Sequence, residues 1–135
     1  GDIYRIVDYK TGAGSTVFSE LPFLFDTSRN ADLSKILQVF LYSFFYDRQF
    51  PGRKLSPALY FMRSIYSENF DPFISLKTDS SSKPERVSDA SVYFDEFTDL
   101  LNQCLSEMFN PDIPFKQTDN EKNCQYCPFK ALCGK

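Results

Sequence analysis

The sequence contains no histidine and no tryptophan in its 135 residues. Without histidine, every Ser-His-Asp or Cys-His nucleophile pair, every imidazole general base and every His-containing zinc site is excluded within this chain. It also lacks a surplus of positive charge: the net charge of −3 gives no overall attraction to nucleic acid or an anionic membrane, so a bound polyanion needs a local patch. No apolar run approaches the roughly 20 residues that span a bilayer as a helix. The opening Gly1-Asp2-Ile3-Tyr4 has neither a basic nor an apolar stretch of the kind that forms a signal peptide. No membrane association and a cytoplasmic setting are therefore expected. There the four cysteines read as metal ligands or core thiols before they read as disulfides.

What the chain has in quantity is aromatic carbon. It is 42% hydrophobic and 17% aromatic, with 15 Phe and 8 Tyr, and 24% charged, the composition of one domain with one core. The β-branched and aromatic run from Ile3 to Lys10 ends at the turn cluster Thr11, Gly12, Ala13, Gly14 and predicts a strand. So apolar a strand needs neighbours, and its short lead suggests a hairpin whose other arm lies before residue 1. Residues 22–30 read as a loop. Leu33, Leu37, Phe40, Leu41 and Phe44 recur at helical spacing and predict a helix over residues 31–47, capped by Asn30 and ended by Phe50, Pro51 and Gly52. Residues 56–66 read as a second strand, 73–76 as a third, and 78–85 as a polar surface loop. A second helix is expected over 89–109, with Val92, Phe97, Leu100, Leu101, Cys104, Leu105 and Met108 on one face and Asp95, Glu96, Asp99 and Glu107 on the other. Strand, helix, strand, helix with one-sided helices predicts an α/β fold, a small mixed sheet flanked by helices.

Three constellations carry chemistry. Asp8 and Lys10 stand two apart on a strand and so share a face. A carboxylate there can hold a hard divalent cation, and the ammonium can orient water and stabilise charge developing on phosphate. By themselves they also fit an exposed ion pair of little energetic value. Gln38 and Tyr42, at i and i+4 on the first helix, project from one side of it and can hydrogen-bond a catalytic side chain or a phosphate. Taken alone they are ordinary boundary residues. Cys124, Cys127 and Cys133 form a C-x2-C-x5-C run near the C-terminus, whose spacing suits a metal. Three ligands are one short of the usual four. Cys104, beside Leu101 and Leu105, reads better as a buried thiol than as the fourth.

Asp8-Tyr9-Lys10-Thr11-Gly12, then Gln38 and Tyr42, then the terminal cysteines, in that order, resemble the RecB-type nucleases of the PD-(D/E)XK superfamily. The cysteine-bearing subgroup is similar to the nuclease module of AddB-type helicase–nuclease subunits and to CRISPR-associated exonucleases with an iron–sulfur cluster. The resemblance runs from residue 4 to residue 133. It implies a restriction-endonuclease-like mixed sheet, with Asp8 as the acid that binds Mg²⁺ or Mn²⁺ and Lys10 as the motif lysine. It further implies Gln38 and Tyr42 as the supporting, DNA-contacting helix motif, and Cys124, Cys127 and Cys133 as three of the four ligands of a [4Fe–4S] cluster. Family members also carry an Asp in a Gly-x-x-Asp-Arg-x-Asp stretch on the preceding strand and a first cluster cysteine further upstream. Neither is present here. The expectation is therefore a single domain over 1–135, the C-terminal part of an N-terminally truncated nuclease domain with a cysteine-bearing tail over 113–135. As cut, it is expected to be inactive alone and to lack the cluster.

The function so implied is a metal-dependent DNA exonuclease module of a helicase–nuclease, acting with a partner subunit in double-strand break repair and recombination. The rival is a DNA-binding or scaffolding module of the same fold that has lost its metals. A third reading, a zinc-stapled interaction domain, rests on the cysteines alone and leaves the Asp8/Lys10 and Gln38/Tyr42 pairs as coincidence. Arg48, Arg53, Lys54 and Arg63 against Asp47, and further on Lys116, Lys122, Lys130 and Lys135 against Asp119 and Glu121, are modest basic groups that fit phosphate contacts as well as plain solvated surface.

Overall fold

A computed structural model describes residues 2–26, 33–79, 81–118 and 121–134. Strand β1 (Ile3–Lys10) has the bounds its sequence predicts. It pairs in parallel with β3 (Lys54–Phe61), in a register that sets Ile3 opposite Lys54, Asp8 opposite Leu59 and Lys10 opposite Phe61. Parallel strands need a crossover, and helix α1 (Ser34–Gln49) supplies it. The second strand thus lies two residues earlier than predicted at its start and five earlier at its end. Beyond Phe61 the chain turns on itself: Met62 N–H donates to the Lys10 carbonyl, Ser64 N–H to Phe61 and Ser67 N–H to Ser64.

The short strands β2 (Val17–Phe18), β4 (Ser75–Leu76) and β5 (Glu85–Arg86) form a second small sheet, β2 parallel and β5 antiparallel to β4. The chain just before β4 runs antiparallel to β3. There Leu59 N–H donates to the Pro72 carbonyl and Ile74 N–H to that of Pro57, so the two sheets meet along one segment. The result is an α/β fold with mixed pairing. The segment expected as a loop after residue 22 begins with a 3-10 turn at Leu21–Leu24. The expected cap Asn30 lies outside the described residues; Leu33 precedes the first turn of α1.

Helix α2 (Phe94–Met108) follows a 3-10 turn at Ala90–Tyr93. Asp89 starts that turn by accepting from the Ser91 N–H and hydroxyl at 3.0 and 2.8 Å, and accepts from Leu55 N–H at 3.3 Å, which ties the turn to the start of β3. Because Val92 sits in this turn and not on the helix, it is exposed rather than part of the apolar face. The acidic face of α2 is solvent-exposed as predicted. A last short helix, α3 (Glu121–Cys124), lies in the tail.

The core lies between α1, α2 and the even-numbered face of β1 and odd-numbered face of β3. Ile36, Val39, Phe40, Leu55, Leu59, Ile74 and Phe97 are fully buried. The face of α1 is rotated from the predicted one. Ile36 and Val39 are at its centre, while Leu37 and Leu41 are only half-buried. At the far end, the Arg53 guanidinium lies over the rings of Tyr4 and Phe50 at 4.5 and 4.9 Å and donates to the Tyr46 hydroxyl at 2.6 Å. Planar stacking of this kind clamps the end of α1 to the start of both parallel strands. Among the described residues no helix is long and apolar enough to cross a membrane.

Candidate active site

β1 delivers Asp8 and Lys10 to one face at its C-terminal end, as strand alternation requires. Lys10 Nζ stands 2.7 Å from Asp8 Oδ2, and the two side chains are only 20% and 16% exposed. α1 runs over this face and places Gln38 against them: Lys10 Nζ donates to Gln38 Oε1 at 2.5 Å, and Gln38 Nε2 donates to the Tyr42 hydroxyl at 2.5 Å. Asp8, Lys10, Gln38 and Tyr42 are therefore one connected group, although 28 residues of chain separate Lys10 from Gln38.

The direction of this relay follows from chemistry. A lysine ammonium has no acceptor, so the Gln38 amide must turn its oxygen to Lys10 and its NH₂ to Tyr42. Tyr42 then accepts, and its own O–H is left to donate outward. The group thus presents two kinds of donor toward solvent, an ammonium and a phenol, beside one carboxylate. Gly14, in the loop after β1, is the close-approach glycine here. A Cβ at that position would come within 2.6 Å of the Phe61 ring and 3.2 Å of Lys35 Cδ, whereas one at Gly12 would meet nothing within 4 Å. Residue spacing gave no sign of that difference.

Asp8 Oδ2 is shielded from solvent and, despite its contact with Lys10, accepts no well-directed hydrogen bond. A shielded carboxylate at a strand end can also serve a hard cation, and Mg²⁺ is held by one or two carboxylates with water completing its shell. Asp8 therefore fits as one ligand. Among the described residues, no three His, Cys, Asp or Glu side chains gather closely enough to hold a metal ion. That applies equally to the tail: Cys124 and Cys127 are half-buried on adjoining turns, where Cys127 N–H donates to the Cys124 carbonyl, and Cys133 is exposed. The fold does not bring these three thiols into a ligand set. Cys104 is half-buried rather than buried, at a cleft of about 270 Å³ that Phe25 and Leu100 also line.

Compared with known protein families, residues 1–134 match the model of the PD-(D/E)XK nuclease superfamily. The chain belongs to that superfamily. Nearly its whole length is a PD-(D/E)XK nuclease domain, consistent with the α/β architecture and mixed pairing. No match was found among curated proteins or among solved structures. Membership in a nuclease superfamily points to phosphodiester hydrolysis, to divalent metal as the usual cofactor and to nucleic acid as the ligand. The Asp8-Tyr9-Lys10 string has the D-x-K form for which the superfamily is named.

Proposed function

We propose that this domain is the metal-dependent exonuclease module of a helicase–nuclease that trims DNA ends in double-strand break repair and recombination, together with a partner subunit. The observation that supports it is the connected group Asp8, Lys10, Gln38, Tyr42, with its solvent-shielded Asp8–Lys10 ion pair. Asp8 would hold Mg²⁺ or Mn²⁺, and what a bound ion supplies there is an activated water and neutralisation of phosphate charge. Lys10 places its ammonium where charge builds on the phosphoryl oxygens in the transition state. Gln38 fixes the Lys10 side chain and keeps the Tyr42 O–H free to bind a phosphate oxygen. The closeness of these groups makes the scaffold reading the weaker one. A module that had abandoned chemistry has no need of a half-buried Asp–Lys pair aligned by a glutamine.

The assay is digestion of linear and of covalently closed circular DNA with Mg²⁺ or Mn²⁺. Linear DNA should shorten from its ends while closed circles survive. Cutting of closed circles would replace the exonuclease assignment by an endonuclease one, and no cleavage of either with DNA binding retained would favour the scaffold.

The cysteine run belongs to the same proposal. Cys124, Cys127 and Cys133 would supply three thiolates to a [4Fe–4S] cluster. Protein reconstituted without oxygen should contain iron and sulfide and absorb in the visible range. A colourless protein holding one equivalent of zinc would reject the cluster.

A further inference from the structure

Helix α1 carries more on its outward side than the relay uses. Tyr42 is 45% exposed and Phe45 60% exposed, and Phe45 makes one ring contact, a T-shaped one with Phe44 at 5.7 Å. Single exposed apolar residues are common and mean nothing by themselves. The position of Phe45 is what gives it meaning. Gln38 and Phe45 are seven residues apart, about two turns, so they point the same way with roughly 10 Å of helix axis between them. Tyr42 lies between them on the same ridge. Phe45 thus continues the line that starts at Asp8 and passes through Lys10, Gln38 and Tyr42. Charge agrees. The one acid of α1, Asp47, sits two residues from Phe45, on the opposite side of the helix. Arg48, one turn on, holds its guanidinium over the Phe44 ring at 4.9 Å. The ridge offers a phenol, a phenyl ring and a nearby cation, and no carboxylate.

We propose that Phe45 is a nucleobase-stacking residue: an unpaired nucleotide of the DNA strand packs on the Tyr42–Phe45 ridge while a phosphate of the same strand lies at Asp8 and Lys10. This rests on the nuclease reading and specifies its substrate. A base within a duplex has both faces covered by neighbours, whereas an unpaired one has a face free for an aromatic ring. The ligand is accordingly a single-stranded or frayed end and not a blunt duplex.

The test measures binding to oligonucleotides in EDTA, where cleavage is off, with 2-aminopurine or an abasic site placed at successive positions. Phe45→Ala should weaken single-strand binding roughly 5- to 100-fold, the range for loss of one base–aromatic stack. Blunt-duplex affinity should change by less than about twofold and the melting temperature should hold, because the ring is largely exposed. Phe45→Trp should restore binding, and the quenched 2-aminopurine position should lose its quenching in Phe45→Ala alone. If unaltered protein binds single strands and Phe45→Ala binds them equally well, or if blunt duplex weakens to the same degree, the stacking role is wrong and the nuclease reading stands. If unaltered protein binds no DNA at all, both are overturned.

Discussion

Asp8→Ala should lower cleavage of linear DNA by roughly 10³-fold or more, the scale on which loss of one well-placed electrostatic group acts in an active site. Affinity for DNA should stay within a few-fold. The separation arises because Asp8 is acceptor-only: it holds a cation and the Lys10 ammonium, and it offers nothing to a phosphate. Asp8→Asn keeps the shape and tests the charge, and it should fail almost as badly. Lys10→Ala should match it, since transition-state charge then loses its nearest cation. The variants should remain folded. Removing Asp8 leaves Lys10, 20% exposed, still bonded to Gln38, so the loss of stability should be on the order of 1 kcal/mol. Single-turnover cleavage, filter binding and a thermal melt on the same samples separate the three effects. Robust cleavage by Asp8→Ala would place the active site elsewhere in the molecule.

How much of this was readable from the sequence depends on what each element offers to periodicity. β1 was legible to the residue, because a β-branched, aromatic run stops at a turn cluster. The end of β3 was not, since Ile65 and Tyr66 prolong the alternation after the chain has begun to turn at Met62. β2 and β5, at two residues each, are too short to show any period. α1 is plain in the sequence as a helix, but its buried face is not. Ile36, Leu37, Val39, Phe40, Leu41, Phe44 and Phe45 surround the helix, so the sequence barely favours one direction. Only packing on β3 picks Ile36 and Val39 and leaves Phe45 outside. Within the candidate site, two spacings were visible, Asp8 to Lys10 on a strand and Gln38 to Tyr42 on a helix. Their meeting was not, because it depends on how α1 lies across β1 and not on any local repeat. For the cysteines the reverse holds: their spacing is plain in the sequence, and the fold leaves them ungathered.

Phe97→Ala should be the most damaging core substitution, at about 3–5 kcal/mol. Phe97 is fully buried, and its ring meets those of Phe25, Phe40 and Phe44 at 5.5, 5.9 and 5.8 Å. Phe44 in turn meets Phe94 edge-on at 5.6 Å. One ring therefore joins α2, α1 and the segment after the first 3-10 turn, and truncating it opens a cavity among aromatic neighbours that cannot rotate to fill it. α2 has little else to hold it. Leu105, Met108 and Phe109 in and beyond its last turns are 39%, 55% and 76% exposed, so its docking relies on Phe94 and Phe97 with help from half-buried Leu100 and Leu101. In a domain of this size the loss corresponds to a melting temperature lower by roughly 10–20 °C. Phe109→Ala, the same chemical change at an exposed site, should stay within about 0.5 kcal/mol of the parent and serves as the control. Calorimetry of the two variants side by side makes the comparison. A Phe97→Ala protein melting within a few degrees of the parent would mean that α2 is not anchored through this ring.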